Sequence, residues 1–220
     1  MIGKFFSFAL FISLLMQPVI AQKIISEGTI VYDIAIQTNN KEPQMADALD
    51  GATSTLYLKG GNSRVDMVSA LGSEKTIYDG KTGAAVILKE YSGQKLMITL
   101  TADNWDARNK KYADINYSVS EETKSIIGYT CQKATAVLKD STVVTVYFTK
   151  DLTVANKNYD QTFKSLPGLP MQYEFFNGKT KITYTVSKID WATIAASKFD
   201  FPKSGYRVMS FDETKAAKRQ

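Results

Sequence analysis

A polar turn set between two runs of alternating side chains constrains this chain more than any other feature. From Ile126 it reads IIGYTCQKATAVLKDSTVVTVYFTKDL, and it closes on SLPGLPMQYEFF at Phe176. Apolar and polar residues alternate with the period of two that sends successive side chains to opposite faces of a strand. Val143, Thr145 and Tyr147 share one face, and Val144, Val146 and Phe148 share the other. Both faces are rather apolar, as in a central strand covered on each side. Pro167 and Pro170 bracket Gly168 and Leu169. Proline lacks the N–H that a sheet ladder needs, so this knot is expected as a rigid corner before a strand that starts at Met171.

The rest of the chain repeats the theme. In GTIVYDIAIQ, Ile30, Tyr32, Ile34 and Ile36 lie on one face of a half-buried strand. Strands at Ser54–Lys59, Ser63–Ser69, Glu74–Tyr78, Ala84–Tyr91 and Lys95–Thr101 are separated by short turns containing glycine, the signature of an antiparallel meander. Ile115–Ser120 reads as a further strand, Asn177-Gly178 as the turn of a hairpin between Met171–Phe176 and Lys179–Ile189, and Tyr206–Phe211 as a last strand. Two stretches change period. Residues 42–51 place Pro43 in a first helical turn, Gly51 just past the end, and Met45 and Leu49 four apart on one face. Ala102–Lys111 carries Asp103 as a candidate cap and Trp105 as its one large apolar group. The reading is α+β, mainly β: one strongly curved antiparallel sheet with two or three short helices across its concave face. A single sheet of about ten strands should curl or close.

Composition removes most chemistry. The chain has no histidine and one cysteine among 220 residues. That excludes a Ser-His triad and a His-based metal site. It leaves Cys131 as a small buried apolar side chain without a partner base. There is no GxGxxG and no Gly-rich Lys-Ser/Thr loop. The pairs Asp103/Asp106 and Asp47/Asp50 are three apart and read as solvated faces rather than catalytic dyads. The aromatic residues sit in alternating strands, where they build core and cross-strand ladders rather than base-stacking platforms. No catalytic, cofactor-binding or metal-binding residue and no nucleic-acid partner is expected.

Residues 1–21 have the anatomy of a secretory signal peptide: Lys4, an apolar run of 12 residues from Phe5 to Met16, Pro18, and Val19-Ile20-Ala21. The run falls well short of the roughly 20 residues that span a bilayer, and no cysteine follows it to carry a lipid anchor. The expected product is one domain over residues 22–220, periplasmic or secreted, without a transmembrane segment. Loss of Lys4 leaves 26 basic and 22 acidic residues, a net charge of +4. These charges are interspersed, a matter of solubility more than of an anionic partner.

The segments IIGYTCQKA, VYFTKDL and SLPGLPMQYEF, together with the opening EGTIVYDI, resemble the GLPGLI-type family of exported bacterial proteins. The motif here reads Ser165-Leu166-Pro167-Gly168-Leu169-Pro170, with Ser for the first Gly and Pro for the Ile. The resemblance implies a fold similar to the lipoprotein carriers LolA and LolB, an incomplete barrel whose helices plug an apolar cavity, and it implies no catalytic residues. On that arrangement an apolar ligand, a lipid or an acylated protein, would lie between sheet and helices against Ile30, Tyr32, Ile34, Met45, Leu49, Trp105, Val146 and Phe148. The alternative is an envelope interaction or structural module without a small-molecule ligand; an enzyme is the weakest reading. Cleavage after Ala21 is the first testable consequence. The intact mass of exported protein should begin at Gln22, and a membrane-bound product retaining residues 1–21 would disprove it.

Overall fold

The computed structural model describes residues 22–38, 48–177 and 180–217. The strands are β1 (Lys23–Ile25), β2 (Glu27–Gln37), β3 (Thr53–Lys59), β4 (Asn62–Ser69), β5 (Gly72–Tyr78), β6 (Ala85–Tyr91) and β7 (Gln94–Leu100), then β8 (Ser118–Ile126), β9 (Tyr129–Val137), β10 (Val143–Thr149), β11 (Leu152–Val154), β12 (Leu169–Asn177), β13 (Thr180–Asp190) and β14 (Arg207–Ser210). The helices are α1 (Ala102–Asn109) and α2 (Phe211–Ala217), with single 3-10 turns at Lys110–Tyr112 and Ala196–Phe199. Twelve strands form one open sheet in the order β14-β7-β6-β5-β4-β3-β2-β13-β12-β10-β9-β8, and β1 pairs with β11 in a separate parallel ribbon.

The expected single sheet is present, but it is mixed rather than purely antiparallel. β14 runs parallel to β7, with Arg207 opposite Leu96 and Ser210 opposite Thr99. Parallel neighbours cannot be joined by a tight turn, and the chain reaches β14 from β13 through residues 191–206. They leave β13 near the middle of the sheet, and Phe199 and Tyr206 cover Ile77, Val86, Leu88 and Met97 on the outer face. The Tyr206 hydroxyl donates to Glu90 at 2.5 Å. With Lys75 at 3.0 Å, this contact holds the Glu90 carboxyl down at about 2.

Three further strand expectations are corrected. β8 spans Ser118–Ile126 rather than Ile115–Ser120, and Ile115 is instead buried against β9 and β10. The β8–β9 turn sits at Ile127 and Gly128, both with positive φ. Asn177 pairs with Thr180 and so belongs to β12; Gly178 lies outside the described residues. The strand expected to start at Met171 begins two residues earlier, inside the proline knot: residues 165–168 form the turn before it, and Leu169 and Pro170 already belong to β12. Leu169 and Pro170 pair with Thr149 and Phe148 across a register shift in β10, the kind of bulge at which a sheet tolerates proline.

The inner face follows from the register. Tyr32 of β2 stands opposite Val186 and Ser54, Val146 of β10 opposite Tyr173 and Ala134, and Ile87 of β6 opposite Thr76 and Ile98. Two connections cover this face. The chain from β7 to β8 must travel between the sheet's two ends, and it does so with Trp105 packed on β5–β7 and with Tyr112 and Ile115 packed towards β9 and β10. Residues 155–168 form the second cover, with Tyr159, Phe163 and Leu166 against the same face.

The packing under that second cover depends on Gly168. A Cβ there would lie 1.9 Å from the Thr149 carbonyl oxygen and 3.1 Å from the Phe148 ring. Both neighbours are fully buried, so neither can give way cheaply. Gly168→Ala should therefore cost about 2 kcal/mol or more through forced backbone movement. Chemical denaturation measures it, and an unchanged midpoint would refute the close approach.

Candidate functional site

Among the described residues, the cover over the inner face leaves gaps. A half-open cavity of about 260 Å³ remains between β3–β5, β12–β13 and the second cover. Its apolar wall is built from Val65 and Met67 on β4, Tyr173 and Phe175 on β12, Tyr184 on β13, and Phe163. Tyr173 and Tyr184 are cross-strand neighbours, which brings their rings face to face at 4.6 Å. Phe163 leans on Tyr173 at 4.7 Å, and Tyr32 meets it from β2 at 5.6 Å. Offset and tilted contacts at these spacings suit the aromatic quadrupole. They also fix the rings as one rigid surface, since Tyr32 is anchored by donating its O–H to the Pro170 carbonyl at 3.0 Å.

The polar wall comprises Ser54, Glu74, Thr76, Asp160 and Thr162. Asp160 accepts from the Thr162 N–H at 2.9 Å, a local Asx turn. Burial beside the aromatic wall pushes its carboxyl up, against the pull of that hydrogen bond. Burial likewise raises the hydroxyls of Tyr173 and Tyr184, keeping both neutral. Glu74 pairs with Lys89 on the neighbouring strand at 2.8 Å. No cluster of three metal-ligating side chains occurs among the described residues. The arrangement can enclose an apolar body and hold a neutral polar group against Asp160 or Thr162.

The residues expected to line a cavity are distributed differently. Ile30, Tyr32 and Ile34 are buried on the inner face, as are Val146 and Phe148. They pack beside the aromatic wall, Ile30 and Tyr32 in one cluster with Tyr173 and Tyr184, and Val146 and Phe148 in another with Phe163. Trp105 is buried on Tyr78 at 5.3 Å, and its indole N–H donates to the Asn158 carbonyl at 2.9 Å, tying α1 to the second cover. Its helix is capped by Thr101 in a reciprocal box with Asn104 rather than by Asp103. Leu49 is half-buried against the cluster of Ile34, Ile36 and Ala52, on which Met67 and Tyr184 of the cavity wall also pack. Met45 and most of the helix expected over 42–51 lie outside the described residues. Cys131 is fully buried, and burial pushes its thiol up to about 11.

Sequence reasoning missed Tyr173, Phe175, Tyr184 and Asp160. The alternation of β12 and β13 was available and puts Tyr173 with Phe175, and Tyr184 with Ile182, on common faces. What was not available was the pairing that turns those faces towards residues 155–168. Asp160 gave no periodic signal, since it stands in irregular chain.

No family model matches the chain. A stretch of 73 residues is 32% identical to fatty acid-binding protein 2 of Manduca sexta, covering 28% of this chain and 55% of that protein. The chain thus spans about half the length of the curated relative it matches. Among solved structures, PNGF-II aligns over 87% of this chain and 33% of its own, with a TM-score of 0.51 and 12% identity; a likeness at that identity concerns the fold alone. Lipoprotein LppX of Mycobacterium tuberculosis aligns over 76% of this chain and 88% of its own at 11% identity, with a TM-score of 0.40. A LolA-superfamily protein of Nitrosomonas europaea covers 82% and 92% at 9% identity, with a TM-score of 0.38.

The raised Asp160 carboxyl has a consequence for stability. A carboxyl whose folded pKa lies above its unfolded value costs nothing at low pH, where both states are protonated. As pH rises above the unfolded value of about 3.9 the unfolded state loses its proton first, and stability falls until the folded group has ionised too. Asp160→Asn keeps an oxygen for the Thr162 N–H and removes this dependence. The variant should gain stability relative to wild type as pH rises from 3.5 to 7, on the order of the titration window just described. A difference in melting midpoint that is flat across that range would contradict a raised carboxyl.

Proposed function

We propose that this protein is an exported, non-enzymatic carrier that binds an apolar ligand, such as a lipid or acyl chain, on the inner face of its sheet. The observation that carries the reading is the half-open cavity whose wall is a preformed plate of Tyr173, Tyr184 and Phe163 beside Val65 and Met67. Pockets for small molecules are concave and mostly apolar, with a few placed polar groups, and Asp160, Thr162 and Ser54 are such groups here. Ile30, Tyr32, Ile34, Val146 and Phe148 are buried beside the plate on the same sheet face, and Leu49 packs on Ile34 and Ile36. The local similarity to a protein named for binding fatty acids supports the same ligand class, as does the family resemblance of the SLPGLP segment, and the signal-like residues 1–21 support a role in the cell envelope. The motifs also keep GLPGLI-type membership as part of this proposal.

A cavity-filling variant tests it. Thr76 lines the cavity from β5 and is half-buried, so Thr76→Trp can occupy the space without emptying the core. Binding of an uncharged fluorescent acyl ester should weaken by about tenfold or more, equivalent to at least about 1.4 kcal/mol, with little change in melting midpoint. Unaltered binding by the filled variant would place the ligand elsewhere. Absence of binding by wild type would leave a docking module without a small-molecule ligand.

A further inference from the structure

A second and larger cavity, about 570 Å³, opens on the same face between β6, β7, α1 and α2. Its floor is apolar: Leu96 and Ile98 from β7, with Phe211 from α2. Its rim is basic. Lys89 comes from β6, Arg108 from the last turn of α1 and Lys215 from α2. The three cations arrive from three different elements, so no single helix or strand periodicity explains their meeting.

We infer that this cavity binds an anionic amphiphile, with a carboxylate or phosphate head held by Arg108, Lys89 and Lys215 and its chain on Leu96, Ile98 and Phe211. The inference rests on the reading of the protein as a carrier of apolar ligands and adds the chemistry of the head group and a site of its own. Three observations carry it. Arg108 is exposed and has no ion-pair or hydrogen-bond partner among the described residues, so its guanidinium is free for the bidentate geometry that suits carboxylate and phosphate. Lys215 is held only loosely, at 3.7 Å from Asp212 on its own helix, while its ammonium lies over the Phe211 ring at 4.3 Å. The cation therefore already stands at the edge of the apolar floor, where a head group would have to sit. Lys89 spends part of its charge on Glu74 at 2.8 Å, which leaves Arg108 and Lys215 as the principal anchors.

The two cavities differ in sign, and this separates their ligands. The central one presents Glu74 and Asp160 and disfavours an anionic head, whereas the second presents three cations. A lone phosphate could meet the cations without using the floor, so chain dependence distinguishes an amphiphile from a free anion.

The test uses dodecanoate and dodecyl phosphate by calorimetry, with inorganic phosphate and an uncharged dodecyl ester as controls, on wild type, Arg108→Gln with Lys215→Gln, and Thr76→Trp. All three replaced side chains are at the surface or half-buried, and circular dichroism verifies the fold. Expected are binding of the anionic amphiphiles that weakens at high salt, a loss of about tenfold or more in the double glutamine variant, little loss in Thr76→Trp, and no measurable binding of inorganic phosphate. Dodecanoate binding that is indifferent to the glutamine pair but lost in Thr76→Trp would overturn the inference and leave the central cavity as the ligand site. Phosphate binding as tightly as dodecyl phosphate would also overturn it, in favour of a plain anion site. If wild type takes the uncharged ester but neither anionic amphiphile, this inference fails and the carrier reading stands.

Discussion

The structure depends on the pairing of β2 with β13. Lys181 through Asp190 lie against Gln37 through Thr29, and this one ladder joins two runs of strands, β14-β7-β6-β5-β4-β3-β2 on one side and β13-β12-β10-β9-β8 on the other. Without it there would be two small sheets, each with one bare edge more. With it there are twelve strands whose two edges, β14 and β8, lie at opposite ends. The chain leaves β7 near one edge and must enter β8 at the other. A connection that crosses a whole sheet has to lie on a face, and an apolar face is stabilised by being covered, at roughly 25 cal/mol for each Å² removed from water. Trp105, Tyr112, Ile115 and Tyr117 are residues of that crossing that reach the sheet. The crossing of the inner face is thus a consequence of topology, and the cavities are the gaps that the two connections and α2 leave among the described residues.

The covers are held by side chains that bond to backbone, which limits how far they can move independently. The indole of Trp105 on α1 donates to Asn158 in the second cover. Tyr117, just before β8, donates to the Thr162 carbonyl at 3.0 Å, and Ser165 donates to the Ile115 carbonyl at 2.9 Å. Each bond is worth only about 1 kcal/mol net, but each joins one cover to the other, so the two behave as one roof. Trp105 therefore acts as core and clasp together. Its truncation would remove a buried aromatic body, worth about 3–5 kcal/mol, along with a tie across the roof.

Much of the fold was legible because most strands have one buried face. The meander from β3 to β7 was read within a residue or two at each end. β8 was misplaced for a physical reason: its sequence SVSEETKSI is polar on both faces, as befits an edge strand whose outer row of peptide groups must not recruit another chain. Such a strand carries no alternation to detect. The parallel β14 was legible as a strand but not in its direction, which is set by the route of residues 191–206 over the outer face. The site was less legible than the fold. Ile30, Tyr32, Ile34, Val146 and Phe148 were correctly assigned to strand faces, yet a face is apolar whether it ends under a cover or beside a gap. Only the path of irregular residues 155–168 decides that, and irregular chain carries no period.

One cross-strand pair organises the electrostatics of the inner face. Glu74 and Lys89 sit opposite each other on β5 and β6 and bond at 2.8 Å, yet Glu74 faces the central cavity and Lys89 the second one. The pair marks the divide between a side that also carries Asp160 and a side that also carries Arg108 and Lys215. Opposite charges placed directly across two strands stabilise a sheet modestly, by about 0.2–1 kcal/mol, and the arrangement could be explained by that alone if the neighbouring charges were mixed. Among the residues that line the cavities they are not: Glu74 and Asp160 line one, and Lys89, Arg108 and Lys215 line the other. Asp160 lies beside the apolar wall, where burial opposes its ionisation. The same face therefore offers two gaps with apolar walls and rims of opposite sign, and on the proposed carrier reading it is this sign that would separate one amphiphile from another.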